Sequence, residues 1–275
     1  MTSGKTEKEL AFLHDLYVAT DWGERFAGLI DEHVQLPKKG RVLYVGAGTG
    51  EHALALKARA GREVELVCVD ESEERLALAR AKAAATPAAS DTVFSHEQLD
   101  ALSLPDETFE LVVGDASMLA PERLPEMLAE MTRVAAPGGA VALDVASASS
   151  FGEFFSVYWE ALASAGFDEQ AAGVGALIDE LPTVSDLEGL AAREGLDDVR
   201  SWTNVEEFNY PTGAEFLNAP LVRDFLLGRW LESLPEDDAR TRVLGEVERI
   251  IDEERNDMDY TLSIKTTLIL GRRAE

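Results

Sequence analysis

The feature that most constrains this chain is the run Gly46-Ala47-Gly48-Thr49-Gly50, set between an apolar stretch and an amphipathic one. Arg41-Val42-Leu43-Tyr44-Val45 reads as a buried strand, and residues 51–60, with Ala53, Leu54 and Leu56 apolar, as a helix. Glycines at such a junction allow a tight turn and let a ligand approach the backbone where a side chain would block it. The following helix directs free amides into the same space. A second apolar strand, 64–69, ends at Asp70, 24 residues after Gly46. A carboxylate there can accept hydrogen bonds from ribose hydroxyls and would repel a phosphate on that ribose. Its plainer alternative is a cap or turn residue.

Strand and helix then alternate with short links. Ser72 caps a helix over 73–85, Thr92-Val93-Phe94 is a short strand, and Glu110–Gly114 is another. Residues 121–135 read as a helix, and Pro137-Gly138-Gly139 turns the chain into a fifth strand, 140–145. This rhythm predicts an α/β fold with a doubly wound, mainly parallel sheet and helices on both faces. Residues 7–32 read as helices, with Leu10, Leu13, Leu16 and Tyr17 on one apolar stripe and Phe26, Leu29 and Ile30 on another. After residue 146 the rhythm breaks. An aromatic helix around Phe154–Trp159 and an Ala/Gly-rich stretch are followed by a helix over 185–194 and a strand over 199–208. Helices over 212–256 then lead to a long strand over 260–270. The expectation is a single domain, 1–275. It comprises a helical cover (1–39), a core (40–146), cap insertions (147–184 and 209–258), a return to the sheet (185–208) and a last strand (259–271).

Composition narrows the function. The 275 residues carry 52 acidic against 25 basic side chains, a formal charge of -27. Nucleic-acid phosphate and anionic lipid both call for positive charge, so neither is expected as a partner. Arg outnumbers Lys 18 to 7, and an acidic surface of this kind fits a high-salt proteome, where repulsion is screened. The single Cys68, inside an apolar strand, rules out an internal disulfide and a cysteine-rich metal site. No His/Asp/Glu group has zinc-triad spacing, so no metal is expected. No apolar run approaches the length of a membrane span and no signal peptide is evident, which makes the cytoplasm the expected location.

Four segments in order carry a family resemblance. Val42–Gly50, Asp70-Glu71-Ser72 with Leu76 and Ala79-Arg80, Leu102–Glu110, and Arg133–Gly139 resemble the class I methyltransferases that use S-adenosylmethionine. The resemblance covers residues 40–146 well and 185–271 by topology. It implies a seven-stranded sheet whose last strand runs antiparallel. It also implies S-adenosylmethionine as cofactor, bound by Gly46, Ala47, Gly48, Gly50, Asp70, Glu71, Gln98, Leu99, Asp115 and Ser117. Two positions depart from the family. Where it usually has an acid two residues before the first glycine, to hold the methionine ammonium, this chain has Tyr44. Where it often has an Asp near the adenine amine, this chain has Gln98, whose amide can still hydrogen-bond the base. The ammonium is then left to backbone carbonyls, the turn, or another acid such as Asp115.

Methyl transfer from a sulfonium needs alignment and exclusion of water more than a particular acid. The catalytic residue is therefore not assigned. His14 and Tyr17, three apart on one helical face, are candidates because the family's amino-terminal helices cover the cleft. Ordinary packing is the alternative for Tyr17. Phe155, Tyr158, Trp159, Tyr210 and Trp230 are candidates for an apolar wall around the acceptor, expected to be a small aromatic or lipophilic metabolite. The same aromatics would serve plain helix-on-sheet packing. A monomer or homodimer is expected. An NAD-dependent oxidoreductase and a non-catalytic cofactor-binding protein are the alternatives. The first lacks Gly-x-Gly-x-x-Gly spacing, and the second is kept open by Tyr44.

Overall fold

Alternating apolar residues decide both faces of the sheet. In β1 (Gly40–Val45), Val42 and Tyr44 point to one side and Leu43 and Val45 to the other, and all four are buried. β2 (Val64–Asp70) and β4 (Phe109–Asp115) are also buried almost throughout, as parallel strands covered on both faces require. β1 lies parallel between β2 and β4, and β3 (Val93–His96) is parallel to β2. β5 (Ala135–Ala146) is parallel to β4. β7 (Tyr260–Arg273) runs antiparallel to β5, with Leu143 opposite Ile269. β6 (Leu196–Tyr210) completes a seven-stranded sheet of order β3-β2-β1-β4-β5-β7-β6. The mainly parallel sheet with its antiparallel last strand is the architecture the sequence predicts.

The computed structural model describes residues 4–234, 237–254 and 258–275. The expected helical run 212–256 includes 235–236 and 255–256, and the expected cover includes 1–3; these positions lie outside the described residues. The helices are α1 (Glu7–Leu13), α2 (Glu24–His33), α3 (Glu51–Ala60), α4 (Glu73–Ala85) and α5 (Leu124–Val134). After β5 come α6 (Gly152–Ser164), α7 (Asp168–Asp179) and α8 (Val184–Arg193), and after β6 come α9 (Gly213–Asn218), α10 (Leu227–Trp230) and α11 (Asp237–Glu254). Leu29, Ile30, Ala53 and Leu56 of α2 and α3 pack on the Val42/Tyr44 face. Met127, Leu128, Met131, Leu187 and Leu190 of α5 and α8 pack on the Leu43/Val45 face. β5 begins five residues earlier than expected, because a register shift between Phe109 and Leu111 absorbs Pro137-Gly138-Gly139 into the strand.

The amino-terminal cover departs from plain α-helix. Between α1 and α2, residues His14–Gly23 form a wider π-helical segment. Its i→i+5 bonding puts more residues in each turn than an α-helix, so side chains three apart no longer share a face. That separates His14, which is largely buried, from Tyr17, which is 49% exposed. The shared α-helical face expected for this pair is corrected by that change of pitch.

The chain divides into two compact units. One comprises 6–146, 182–204 and 266–275, and contains the sheet core with α1–α5 and α8. The other comprises 1–5, 147–181 and 205–265, and so takes in most of both expected cap insertions. Inside this second unit Phe154 stacks on Trp230 at 4.2 Å and on Tyr158 at 5.4 Å, while Phe155 meets Trp230 edge-on at 5.9 Å. Tyr210 meets Phe216 at 5.2 Å. Phe155, Tyr158 and Trp230 are buried in this aromatic core, and Trp159 is 54% exposed. These rings pack on one another as helix-on-helix burial of aromatics requires.

Candidate active site

A cavity of about 690 Å³ lies in the sheet-bearing unit, at the carboxyl ends of β1, β2, β4 and β5. Its size falls within the roughly 300–1,000 Å³ of small-molecule sites. Every residue of its lining belongs to that unit.

The floor is the glycine turn. Gly46, Gly48 and Gly50 adopt φ of +76°, +54° and +82°, conformations that L side chains rarely take. The amides of Gly46 and Ala47 both donate to the carbonyl of Val69, at 2.9 and 3.0 Å, which ties the turn to the end of β2. A Cβ on Gly46 would lie 2.6 Å from the carbonyl oxygen of Asp115, so the turn also runs hard against the end of β4. At Gly48 the neighbour is the His14 ring, whose Cε1 would be 2.8 Å from such a Cβ.

On the β2 side, every acid has cationic or amide partners. Asp70, 2% exposed, accepts from the Gly48 amide at 2.8 Å and the Ser72 amide at 2.9 Å, and pairs with Arg75 at 2.9 Å. A carboxylate offers about four acceptor positions, so one remains for a ligand hydroxyl. Glu71 accepts from both terminal nitrogens of Arg123, at 3.1 and 2.5 Å, and from the Leu99 amide at 3.3 Å. Arg123 holds the Glu71 carboxyl below its usual range, against some opposition from burial. Leu99 is buried and lines the cavity, whereas Gln98 is exposed and lies outside the lining.

The β4–β5 side is built differently. Asp115 and Asp144 are register partners on adjacent parallel strands, and so share a face with Val113 and Tyr44. The Asp115 side chain accepts only from within its own turn, including the Ser117 amide at 2.9 Å. Burial pushes its carboxyl upward. Asp144 is 1% exposed, and its Oδ1 has no hydrogen-bond partner among the described residues. Burial, followed by the charge of Asp115, pushes the Asp144 carboxyl well above its usual range. Between this pair and the opposite rim, Tyr44 Oη lies 2.8 Å from His52 Nδ1, and His52 Nε2 lies 3.0 Å from Asp31. Asp31 also pairs with Arg59. Burial raises the Tyr44 hydroxyl far above its ordinary value, so it keeps its proton.

The π-helical segment forms the cover. His14, Val18, Ala19, Trp22 and Gly23, at spacings of four and five, all line the cavity. Trp22 Nε1 donates to Ser117 Oγ at 2.9 Å and its ring stacks on Phe26 at 4.9 Å, pinning the cover to the end of β4. Burial, aided by Arg75 and Lys82, lowers the His14 pKa to about 3, so His14 is a neutral wall and a poor base at neutral pH. Tyr17 does not line the cavity.

Of the residues predicted from sequence, the cavity brings together Gly46, Ala47, Gly48, Asp70, Glu71, Leu99, Asp115, Ser117 and His14. Gly50 lies outside the lining, and a Cβ there would come within 2.9 Å of the Ala79 side chain of α4. Sequence reasoning missed Asp144, the Tyr44–His52–Asp31 line, and the Trp22 and Arg123 contacts. One signal was present for Asp144: a carboxylate inside the otherwise apolar run Val141-Ala142-Leu143-Asp144-Val145.

Known proteins are similar to this chain in sequence or in fold. A family model described as a methyltransferase domain matches residues 42–139. The ubiquinone/menaquinone biosynthesis C-methyltransferase UbiE of Geobacter sulfurreducens is 36% identical over 123 residues, covering 44% of this chain and 48% of that protein. The demethylmenaquinone methyltransferase of Deinococcus radiodurans is 35% identical over 150 residues, covering 53% and 59%. The aligned region thus spans about half the length of the curated relatives it matches. The crystal structure of the YcgJ protein from Bacillus subtilis superposes with a TM-score of 0.60 at 18% identity, covering 92% of this chain and 99% of that one. The matched core and the strand order give this chain the fold of the class I S-adenosylmethionine-dependent methyltransferases.

Proposed function

We propose that the cavity binds S-adenosylmethionine and that the chain transfers its methyl group to a small aromatic acceptor, such as a phenol or a reduced quinone. One observation carries this reading: the glycine turn, Asp70 and Leu99 converge on a single cavity of about 690 Å³. When bound, the cofactor supplies an electrophilic methyl group that leaves sulfur in line with the incoming nucleophile. The chain's own work is placement. Asp70 keeps an acceptor position open for a ribose hydroxyl, and Leu99 offers an apolar face to the base. Val18, Trp22, Phe26 and Leu119 line the cavity with apolar surface, which excludes water and suits a flat, lipophilic acceptor. An acceptor that loses a proton on methylation has a route outward through Tyr44 and His52 to Asp31. The relatives named above are a ubiquinone/menaquinone biosynthesis C-methyltransferase and a demethylmenaquinone methyltransferase, which supports an aromatic acceptor.

Calorimetric titration with S-adenosylhomocysteine tests the cofactor reading. Saturable binding is expected, and Asp70→Ala should cost about 2–3 kcal/mol of affinity, the scale of lost charge-assisted hydrogen bonds. An unchanged dissociation constant would remove Asp70 from the site. Turnover on a panel of phenols and hydroquinones with labelled cofactor then tests the acceptor class, and activity confined to amines would overturn it.

A further inference from the structure

The cavity is asymmetric in charge. Glu71, Asp70 and Asp31 each have an arginine partner: Arg123, Arg75 and Arg59 respectively. Asp115 and Asp144 have no lysine or arginine within ion-pairing distance among the described residues, although both line the same cavity, Asp115 half-buried and Asp144 1% exposed. Asp144 goes further, with a buried Oδ1 that has no hydrogen-bond partner among the described residues. A buried carboxylate without a partner is costly, and such an arrangement persists where a ligand completes it. The ligand this wall calls for carries positive charge.

Position 44 sharpens the point. The acid that family members usually place two residues before the first glycine is absent, and Tyr44 Oη is committed to His52. Tyr44 on β1, Asp115 on β4 and Asp144 on β5 nevertheless lie on one face of three adjacent strands. The negative charge has moved across the sheet, from β1 to β5. Resting on the cofactor reading above, we propose that Asp144, seconded by Asp115, is the anionic anchor for the ammonium of the cofactor's methionine portion. Asp144 is thereby a positioning residue that no glycine-turn motif contains. Its Oδ1 accepts from the ammonium, and the apolar cover of Val18 and Trp22 keeps the pair away from water.

The test compares S-adenosylhomocysteine with its deamino analogue, which lacks only the ammonium, by calorimetry on the full chain. The wild-type protein should bind the amino form at least tenfold more tightly. Asp144→Asn should erase most of that preference while leaving affinity for the deamino analogue within about twofold. Equal affinity of the wild type for both ligands would overturn the proposal, whether or not the variant folds. So would a variant that keeps the full preference, or one that loses both ligands equally, since that is a general defect of the cavity. Failure of the wild type to bind either ligand would overturn the cofactor reading itself, and this inference with it.

Discussion

The two walls of the cavity handle negative charge in opposite ways. On the β2 side, Asp70 and Glu71 are each matched by an arginine and by backbone amides, so the wall's charge is balanced without a ligand, with one Asp70 acceptor position left open. On the β4–β5 side neither Asp115 nor Asp144 has a cationic partner among the described residues; Asp115 accepts from the Ser117 amide, while the buried Asp144 keeps an oxygen with no hydrogen-bond partner among them. The difference separates two tasks. A finished wall presents a rigid hydrogen-bonding surface to a neutral group such as a ribose. An unfinished one holds binding energy in reserve for a cation, and costs the free protein stability until that cation arrives.

The substitution with the largest expected effect removes the junction between the walls. Gly46→Val places a branched side chain against the Asp115 carbonyl, in a backbone conformation hostile to it. It should cost about 3 kcal/mol or more of stability and abolish S-adenosylhomocysteine binding. Thermal unfolding and calorimetry would show this, and near-normal binding would mean that the walls do not meet at the turn.

The comparison also makes a prediction about pH, with opposite signs on the two sides. Burial raises the folded-state pKa of Asp144 above its unfolded value. Its cost is therefore largest at high pH, begins to shrink as pH falls through the raised folded value, and is gone below the unfolded one. Asp144→Asn should stabilise the free protein by about 1–3 kcal/mol at pH 7–8, with the gain shrinking on acidification. Glu71 is the reverse case, because Arg123 lowers its pKa. Its contribution is present above the unfolded pKa and lost as pH falls through the lowered folded one. Glu71→Gln should thus destabilise by about 1 kcal/mol at neutral pH, with the penalty fading below pH ~4. Urea unfolding at several pH values measures both, and matching signs would break the contrast.

A smaller effect is expected where the cover meets the β4 side. Trp22→Phe retains the ring that stacks on Phe26 but removes the bond to Ser117, and should cost about 1 kcal/mol in urea unfolding. A loss several times larger would mean that this bond organises the whole cover.

The fold was legible in the sequence because its signals are local. The alternation of Val42, Leu43, Tyr44 and Val45, the glycines behind them and Asp70 at the end of the next strand report their geometry without reference to distant residues. The β2 wall was read largely for the same reason. Three features were not legible, each with a physical cause. The π-helical pitch of His14–Gly23 is a matter of backbone bonding that apolar spacing does not reveal, so His14 and Tyr17 were placed together although they face apart. The split between Gln98, which is exposed, and Leu99, which is buried and lines the cavity, depends on tertiary packing that the two residues do not announce. Asp144 becomes a site residue only when the register of β4 and β5 sets it beside Asp115, 29 positions earlier in the chain. The aromatics of 151–159 and 210–230 reported hydrophobic burial, and Phe154, Tyr158 and Trp230 spend it on one another.

The most direct test of the central claim, that one cavity divides a cofactor between a completed wall and an unfinished one, is a crystal structure with S-adenosylhomocysteine bound. The account predicts ribose hydroxyls against Asp70, adenine packed on Leu99, and the amino nitrogen within hydrogen-bonding distance of Asp144 or Asp115. A cofactor bound in this cavity with its amino group turned away from both carboxylates would contradict it.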